Sequence, residues 1–390
     1  MSHQILEEAK AMQTELTAWR HALHQIPELG LHLPKTNAFI KEKLTEMGIE
    51  FQEYENSSCI TAILGKEGKC FLLRSDTDAL PIEEESGESF ASANGCMHAC
   101  GHDLHAAVLL GAAKILKKHE QELKGRVKLL FQPGEETFEG AKAALDCRVL
   151  EQPHVDAAFA MHVASILPNN IIVYGDYPMA AVYGFRVKLS GSGTHGSTPQ
   201  LGVDPINTGV HIYLALQELI AREVAPNEEV ALTIGRFDAG TVSNVIPERA
   251  ILEGTLRTFK PEIRERMIER IQETVMSIAS AYRTKAEIEV ISDVPPVVCD
   301  TSLNQEIVNS IKSLDEKVGV YPKYHVMGSE DFAFIAEQVP SSYFCFGAGL
   351  PDRTKWFGQH NPKVRFVDEA LPLGAAVYAK AAIDWLICHS

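Results

Sequence analysis

From Ile5 the apolar positions Ile5, Ala9, Met12, Leu16, Trp19 and Leu23 step by four and three. That spacing predicts one amphipathic helix, which the Pro27 and Gly30 of RHALHQIPELG terminate. Ala38–Met47 reads as a second helix. Three short apolar runs follow, Cys70–Arg74 (CFLLR), Val127–Phe131 (VKLLF) and Ala157–Met161 (AAFAM). Runs of this kind fill strands covered on both faces. A helical stretch beginning near His105 (AAVLLGAAKILKKH) separates the first two. Strands alternating with helices predict a mostly parallel sheet, covered on both faces, in an α/β domain.

The pattern changes near Tyr183. Val182–Leu189 alternates like a half-exposed strand, and Ile206–Arg222 is helical with Val210, Leu214 and Leu219 among its apolar positions. Val230–Phe237 and Ala250–Phe259 read as strands, Pro261 to about Tyr282 as a helix, and Ala286–Ile291 as a strand. The order β-α-β-β-α-β is the ferredoxin-like split unit. Residues 183–293 are therefore expected to form an inserted α+β lid domain, within a catalytic domain of residues 1–182 and 294–390. Its antiparallel sheet has free edges, and pairing two edges across a two-fold axis predicts a homodimer through the lid. Further on, Leu303–Leu314 is helical, Met327–Phe332 is a turn with Ser329 expected at a helix N-cap, and Ser342–Phe346 is a strand. An Ala-rich helix from about Asp368 to Cys388 closes the chain.

Composition narrows the function. A net charge of −16 over 390 residues argues against nucleic acid or an anionic membrane as partner. The start, MSHQILEEAK, lacks the apolar core of a signal peptide, and no run of about 18 apolar residues suggests a membrane span. Eight scattered cysteines are too sparse for a disulfide scaffold and fit free thiols in the cytoplasm. An acidic protein that handles an anionic substrate must place positive charge in its site, and metal ions would supply it.

The chemistry concentrates in Gly95–His105, GCMHACGHDLH, where Cys96, His98, Cys100, His102, Asp103 and His105 are all usable as metal ligands. The cluster stands at a helix entrance, where the positive dipole end is expected to lower the pKa of Cys100. Asp76 and Asp78 leave the first buried strand in SDTDALP, with Asp78 read as a turn former; Glu135 and Glu136 leave the second in QPGEET, and His162 follows the third. Ligand crevices of open α/β sheets lie at that strand edge. Cys100, His102, Glu136, His162 and His360 meet the donor count that two divalent cations need. Adjacent glutamates suggest a division of labour, one ligating and the other moving protons. His21 and His24 are read as surface or packing histidines.

The segments RHALHQIPELG, RSDTDALP, MHACGHDLH, FQPGEE, MHV, GSGTHGSTP, NVIPERAILEGTLRT, GSEDFAF and HNP occur in order from residue 20 to 362. As a set they resemble the zinc- or manganese-dependent amidohydrolases of the aminoacylase/carboxypeptidase G superfamily. The branch most resembled holds hippurate hydrolases, auxin-conjugate hydrolases and N-acetyl-diaminopimelate deacetylases. The resemblance implies a catalytic domain of the phosphorylase/hydrolase-like kind and two divalent ions per chain, Mn²⁺ or Zn²⁺ with Co²⁺ or Ni²⁺ as further candidates. Their ligands would be Cys100, His102, Glu136, His162 and His360. Glu135 would be the catalytic base and Asp76 an orienting carboxylate. Arg74 stands where related enzymes carry a metal-ligand histidine. In the inserted domain His195 would steady an oxyanion, and Asn244 and Arg257 would hold the substrate. GTHGSTPQ departs from the commoner GGHAAMPH-like form while keeping His195. The implied activity is hydrolysis of the amide bond of small N-acyl amino acids, with a dipeptidase or carboxypeptidase as the alternative. A thiol redox protein using Cys96 and Cys100 fits poorly, because a C-x₃-C spacing is off the thioredoxin pattern. A binding protein without activity would have no reason to keep every expected ligand.

Overall fold

The computed structural model describes residues 2–390, which divide into two compact units. The larger runs to Pro178 and resumes with Val298–His325 and Asp331–Ser390; the smaller comprises Met179–Val297 and Val326–Glu330.

In the larger unit the chain forms α1 (Ser2–Ala11), α2 (Gln13–His24), α3 (Pro34–Glu46), β1 (Phe51–Tyr54), β2 (Ser57–Gly65), β3 (Cys70–Asp76) and α4 (His102–Lys118). Next come β4 (Arg126–Gln132), α5 (Gly140–Asp146), β5 (Ala157–Pro168) and β6 (Ile171–Tyr174). The smaller unit holds β7 (Ala181–Ser190), β8 (Thr194–His195), α6 (Pro205–Glu223), β9 (Val230–Ala239), β10 (Val245–Ile246), β11 (Arg249–Thr258), α7 (Pro261–Ala281) and β12 (Lys285–Val294). The larger unit then adds α8 (Thr301–Leu314), β13 (Gly319–Tyr321), α9 (Ala333–Ala336), β14 (Ser341–Gly349) and α10 (Leu371–Cys388).

The large sheet has the order β1-β2-β4-β3-β5-β14-β6-β13. Its centre is parallel: β3 pairs in parallel with β4 and with β5, and β5 with β14. Antiparallel pairing is confined to the flanks, β1 with β2, β2 with β4, and β14 with β6. Every residue of β3 and β14 is buried, because helices cover both faces. The first predicted helix is two helices, α1 and α2. At Met12, whose N–H bonds the Ala9 carbonyl (3.0 Å), a tighter turn interrupts the ladder. The expected stripe is nevertheless buried across both, through Ile5, Ala9, Leu16, Trp19 and Leu23. His24 is neither a surface nor a plain packing residue: its ring lies between Asp103 (2.9 Å) and Glu84 (3.1 Å). Burial opposes its charge, yet Asp103 and Glu84 hold the imidazole up at about 9.

The C-terminal α10 holds no unbroken run of about 18 apolar residues, since Lys380 and Asp384 interrupt it, yet its composition is strongly apolar. Asp368–Cys388 could cross a membrane by length and composition, but 83% of its most apolar 18-residue window is buried. It packs against α4, α8 and α1 in the core.

The smaller unit is a four-stranded antiparallel sheet in the order β12-β7-β11-β9, with α6 and α7 packed on it. This is the ferredoxin-like arrangement, with its own core around Phe185, Leu252, Ile271 and Leu216. β7 is more buried than a half-exposed strand, since it runs between two neighbours and its first five residues are covered. Val210 and Leu214 do not join this core: they are 42% and 55% exposed on α6 while Ile212, Leu216 and Leu219 turn inward. Val326–Glu330 belongs to this unit through the Met179↔Val326 bridge and the Ala180 N–H on the Gly328 carbonyl (2.8 Å).

The turn after β4 is held by the Gly140 and Glu139 N–H groups on the Gly134 carbonyl (3.0 and 3.2 Å), with Gly134 in the left-handed region at φ 73°. A Cβ on Gly140 would stand 1.8 Å from the Pro133 carbonyl oxygen. Gly140→Ala is therefore expected to destabilise the protein by about 1–3 kcal/mol, read as a lowered urea midpoint. An unchanged midpoint would show that this turn can open without cost.

Candidate metal centre

The parallel strands β3 and β4 end at one edge of the large sheet, and the turn after each carries carboxylates there. β3 ends at Asp76, and Asp78 lies two residues beyond. Period-two geometry sends both side chains the same way. β4 leads into Glu135 and Glu136. His162 lies within β5 rather than after it, because that strand continues to Pro168 beside β14. Cys100 and Gly101 bend the chain into α4, whose first residue is His102. Gly101 is left-handed at φ 96°, and a Cβ there would be 2.4 Å from Val163 Cγ1, so only glycine makes this bend. His360 is a left-handed non-glycine residue (φ 65°) whose N–H bonds the Ala99 carbonyl (3.0 Å).

These turns bring all five expected ligands into one cluster. Cys100 Sγ is 3.3 Å from His162 Nε2, and Glu136 Oε1 is 3.4 Å from His360 Nε2. His102 Nε2 lies 3.9 Å from Glu136 Oε1, 3.9 Å from Glu135 Oε2 and 3.8 Å from Asp76 Oδ2. The hydrogen bonds settle the tautomers. His102 Nδ1 donates to the Asp78 carbonyl (2.9 Å) and His162 Nδ1 to the Val163 carbonyl (2.6 Å). Both rings therefore turn Nε2, the nitrogen not spent on a carbonyl, towards the cluster. Metal-ligating histidines are oriented in this way, by a carbonyl on the other nitrogen. Among the described residues, buried His102 Nε2 and Glu136 Oε1 have no hydrogen-bond partner, as expected of donors shaped for a cation.

His105, usable as a ligand by spacing alone, is spent elsewhere. Its Nδ1–H donates to Asp76 Oδ1 (2.5 Å), and its Nε2 accepts the Val163 N–H (2.8 Å). Asp76 thus sits between His105 and Arg74, whose Nη1 donates to it at 2.7 Å. Arg74 is buried and also donates to Asp331 (2.9 Å) and Gln132 (3.0 Å).

The electrostatics describe a site short of positive charge. Burial pushes the Cys100 thiol well above its ordinary value, and Glu136, Glu135 and Asp76 push it further. The expected lowering by the helix entrance is overturned: a dipole end is weaker than desolvation beside three carboxylates. Burial disfavours a charged His102, but Asp76, Asp78 and Glu136 outweigh it and raise the ring to about 10. Burial and the neighbouring His105 hold His162 well below its usual value, leaving it neutral. Asp76 is held well below the usual carboxylate range: burial opposes this, but His102, His105 and Arg74 prevail. A thiol, two imidazole nitrogens and shared carboxylates fit divalent cations, which would take the place of the His102 Nε2 proton and relieve this imbalance.

His195, Asn244 and Arg257 belong to the smaller unit. His195 pairs with Val245 in the β8–β10 ladder, and its Nδ1 lies 2.7 Å from Ser197 Oγ. The Asn244 carbonyl accepts the Gly196 N–H (2.7 Å), so these two residues share one corner. Arg257 is half-buried near the end of β11 and donates to Ser329 Oγ (2.7 Å) and the Met327 carbonyl (3.3 Å). Ser329 is thus a partner of Arg257 and not an N-cap. α9 begins only at Ala333 and is capped at Phe332.

Sequence reading missed Asp78. It is not a simple turn former: its buried carboxylate accepts the Glu135 N–H (3.0 Å) and the Glu136 N–H (3.1 Å). Its place two residues after Asp76, on the same side, was the available signal.

Fixed imidazoles aimed at one point, beside a thiol and a carboxylate pair, are the donor set of a metal-dependent hydrolase. Residues 72–384 match the model of peptidase family M20/M25/M40, and the chain belongs to that family. It is 37% identical over 340 residues to an N-acetyl-L-cysteine deacetylase of Bacillus subtilis, covering 86% of this chain and 81% of that one. It is 34% identical over 381 residues to the IAA-amino acid hydrolase ILR1-like 4 of Arabidopsis thaliana, covering 94% and 85%. A solved dinuclear metal-binding M20 peptidase from Bacillus subtilis superposes with a TM-score of 0.83 at 31% identity, covering 97% of this chain and 99% of that one. The chain is a metal-dependent hydrolase of amide bonds.

Asp78→Asn removes one acceptor from the paired backbone N–H groups and is expected to lower metal affinity or turnover 10–100-fold without unfolding the protein. Metal titration and steady-state kinetics measure it, and wild-type values in both would show that the glutamate turn holds itself.

Proposed function

We propose that this protein hydrolyses the amide bond of N-acyl amino acids, releasing a carboxylate and the free amino acid. What supports the reading best is the pair of carbonyl-oriented imidazole nitrogens gathered with Cys100 and Glu136 around Glu135. The deacetylase and amino acid hydrolase relatives fit the same chemistry. Cys100, His102, Glu136, His162 and His360 would hold two divalent ions, Zn²⁺ or Mn²⁺ by donor type. Such ions supply Lewis acidity, making water more acidic near neutral pH and drawing electrons from the scissile carbonyl.

The remaining work falls to the chain. Glu135, nearly buried and anchored through its backbone by Asp78, takes the proton of the attacking water and returns it to the leaving amine. Asp76 keeps His105 and the neighbouring His102 in register. His195 donates a hydrogen bond to the developing oxyanion. Arg257, which donates to the neutral Ser329 hydroxyl and Met327 carbonyl, and Asn244 bind the substrate carboxylate. Glu135→Gln is expected to abolish nearly all turnover while leaving metal bound. His195→Ala should lose about 10²–10³ in kcat. Near-normal turnover in Glu135→Gln would reject the assignment of the base. The substrate class is tested with metal-free enzyme reconstituted with Zn²⁺, Mn²⁺ or Co²⁺ and offered N-acetyl-methionine beside dipeptides. Preferential cleavage of a dipeptide with a free α-amine would make the enzyme a dipeptidase instead.

The same reading makes the enzyme a cytoplasmic homodimer joined through the smaller unit. Its support is the outer edge of β9 and the run Val210, Tyr213 and Leu214, exposed at helical spacing on α6. Light scattering should give twice the 42.9 kDa chain mass, and Val210→Glu with Leu214→Glu should halve it. A monomeric wild type would refute the dimer.

A further inference from the structure

Arg20 and His24, in the RHALHQIPELG segment, take no part in the chemistry above, yet both lie in the interior beside the metal-binding turn. Arg20 is 2% exposed. Its Nε donates to Asp103 Oδ2 at 3.1 Å, and its Nη1 donates to the Phe366 carbonyl (3.1 Å) and Asp368 Oδ1 (2.6 Å). Asp103 directly follows His102, in the first turn of α4. Phe366 and Asp368 lie just beyond the loop that carries His360. One planar guanidinium therefore bridges the two segments that deliver three of the five expected ligands.

We propose that Arg20 is a positioning residue for the metal centre, clamping the Cys100–His102 bend to the His360 loop so that their ligands are held at one spacing. The packing around the bend has no slack. A Cβ at Gly101 would be 3.1 Å from Phe366 Cζ, on the residue whose carbonyl Arg20 holds. The His360 N–H on the Ala99 carbonyl is a second tie between the same segments, from the other side of the bend. His24 donates to the same Asp103 oxygen and faces Glu84, which fixes the carboxylate that Arg20 pulls against. A lysine in place of Arg20 would keep the charge, but its point-like ammonium cannot serve acceptors spread along a fork.

The proposal rests on the ligand assignment above, so its test reads metal directly. Ion content after dialysis and dissociation constants from chelator competition are measured at a temperature well below unfolding. Arg20→Lys and Asp103→Asn should each fold and each bind at least one ion 10–100-fold more weakly than wild type. The double variant should lose no more than the larger single loss, because both act through one contact. Ile311→Ala, a core truncation on α8, serves as the stability control and should keep wild-type ion affinity. Arg20→Lys that folds and holds both ions as tightly as wild type would overturn the clamp. An equal loss of affinity in Ile311→Ala would overturn it too, since the effect would then be general softening. A wild type that binds no divalent ion would instead overturn the ligand assignment.

Discussion

Burying Asp76, Asp78 and Glu135 at one strand edge, with Glu136 half-buried beside them and a thiol and two imidazoles between, carries a large desolvation cost. Carboxylates withdrawn from water need positive charge or donated hydrogen bonds. Asp78 is satisfied by two backbone N–H groups, and Asp76 by Arg74 and His105. The remaining demand falls on the centre of the cluster, where His102 Nε2 and Glu136 Oε1 have no hydrogen-bond partner among the described residues. A stable fold of this shape is intelligible only with cations in view. That is why the donors, and not the pocket outline, define the chemistry.

The fold meets this demand by making the surroundings rigid. Three central parallel ladders fix where β3, β4 and β5 end, and their burial on both faces leaves little freedom for the turns that follow. Two glycine-dependent bends, at Gly101 and Gly134, place the Cys-x-His and Glu-Glu pairs. Around them runs a second layer of buried ion pairs, Arg74 with Asp331 and Arg20 with Asp103 and Asp368. Isolated, such pairs add little to stability. Joined to the turns that bear the ligands, they set geometry instead.

Much of the plan could be read from the chain. Strand-type runs and the ferredoxin-like order were visible because their periods differ, two for half-buried strands and continuous apolarity for covered ones. The M20 family membership was carried by spaced motifs. What local pattern could not show was competition between neighbours. The helix dipole suggested an acidified Cys100, but desolvation beside Glu136 and Glu135 prevailed. Val210 and Leu214 fitted an inward stripe by spacing, yet the helix turns its other face to the core. The apolar C-terminal helix met the length criterion for a membrane span only because a core helix enclosed on all sides looks the same.

By itself, the sequence determined which donors were present, that Asp76 and the glutamate pair follow buried strands, and that a second α+β unit interrupts the first. Those properties depend on residues a few positions apart, so local periodicity and motif spacing express them. Only the tertiary structure decided that His102 offers a free nitrogen while His105 does not, that Asp78 secures the glutamate pair, and that Arg20 reaches both ligand-bearing segments. Each of these depends on partners tens to hundreds of residues away, such as the Val163 N–H on His105 and the Phe366 carbonyl on Arg20. A side chain's role is set by the hydrogen bonds it has already spent, and those are fixed only when distant segments meet.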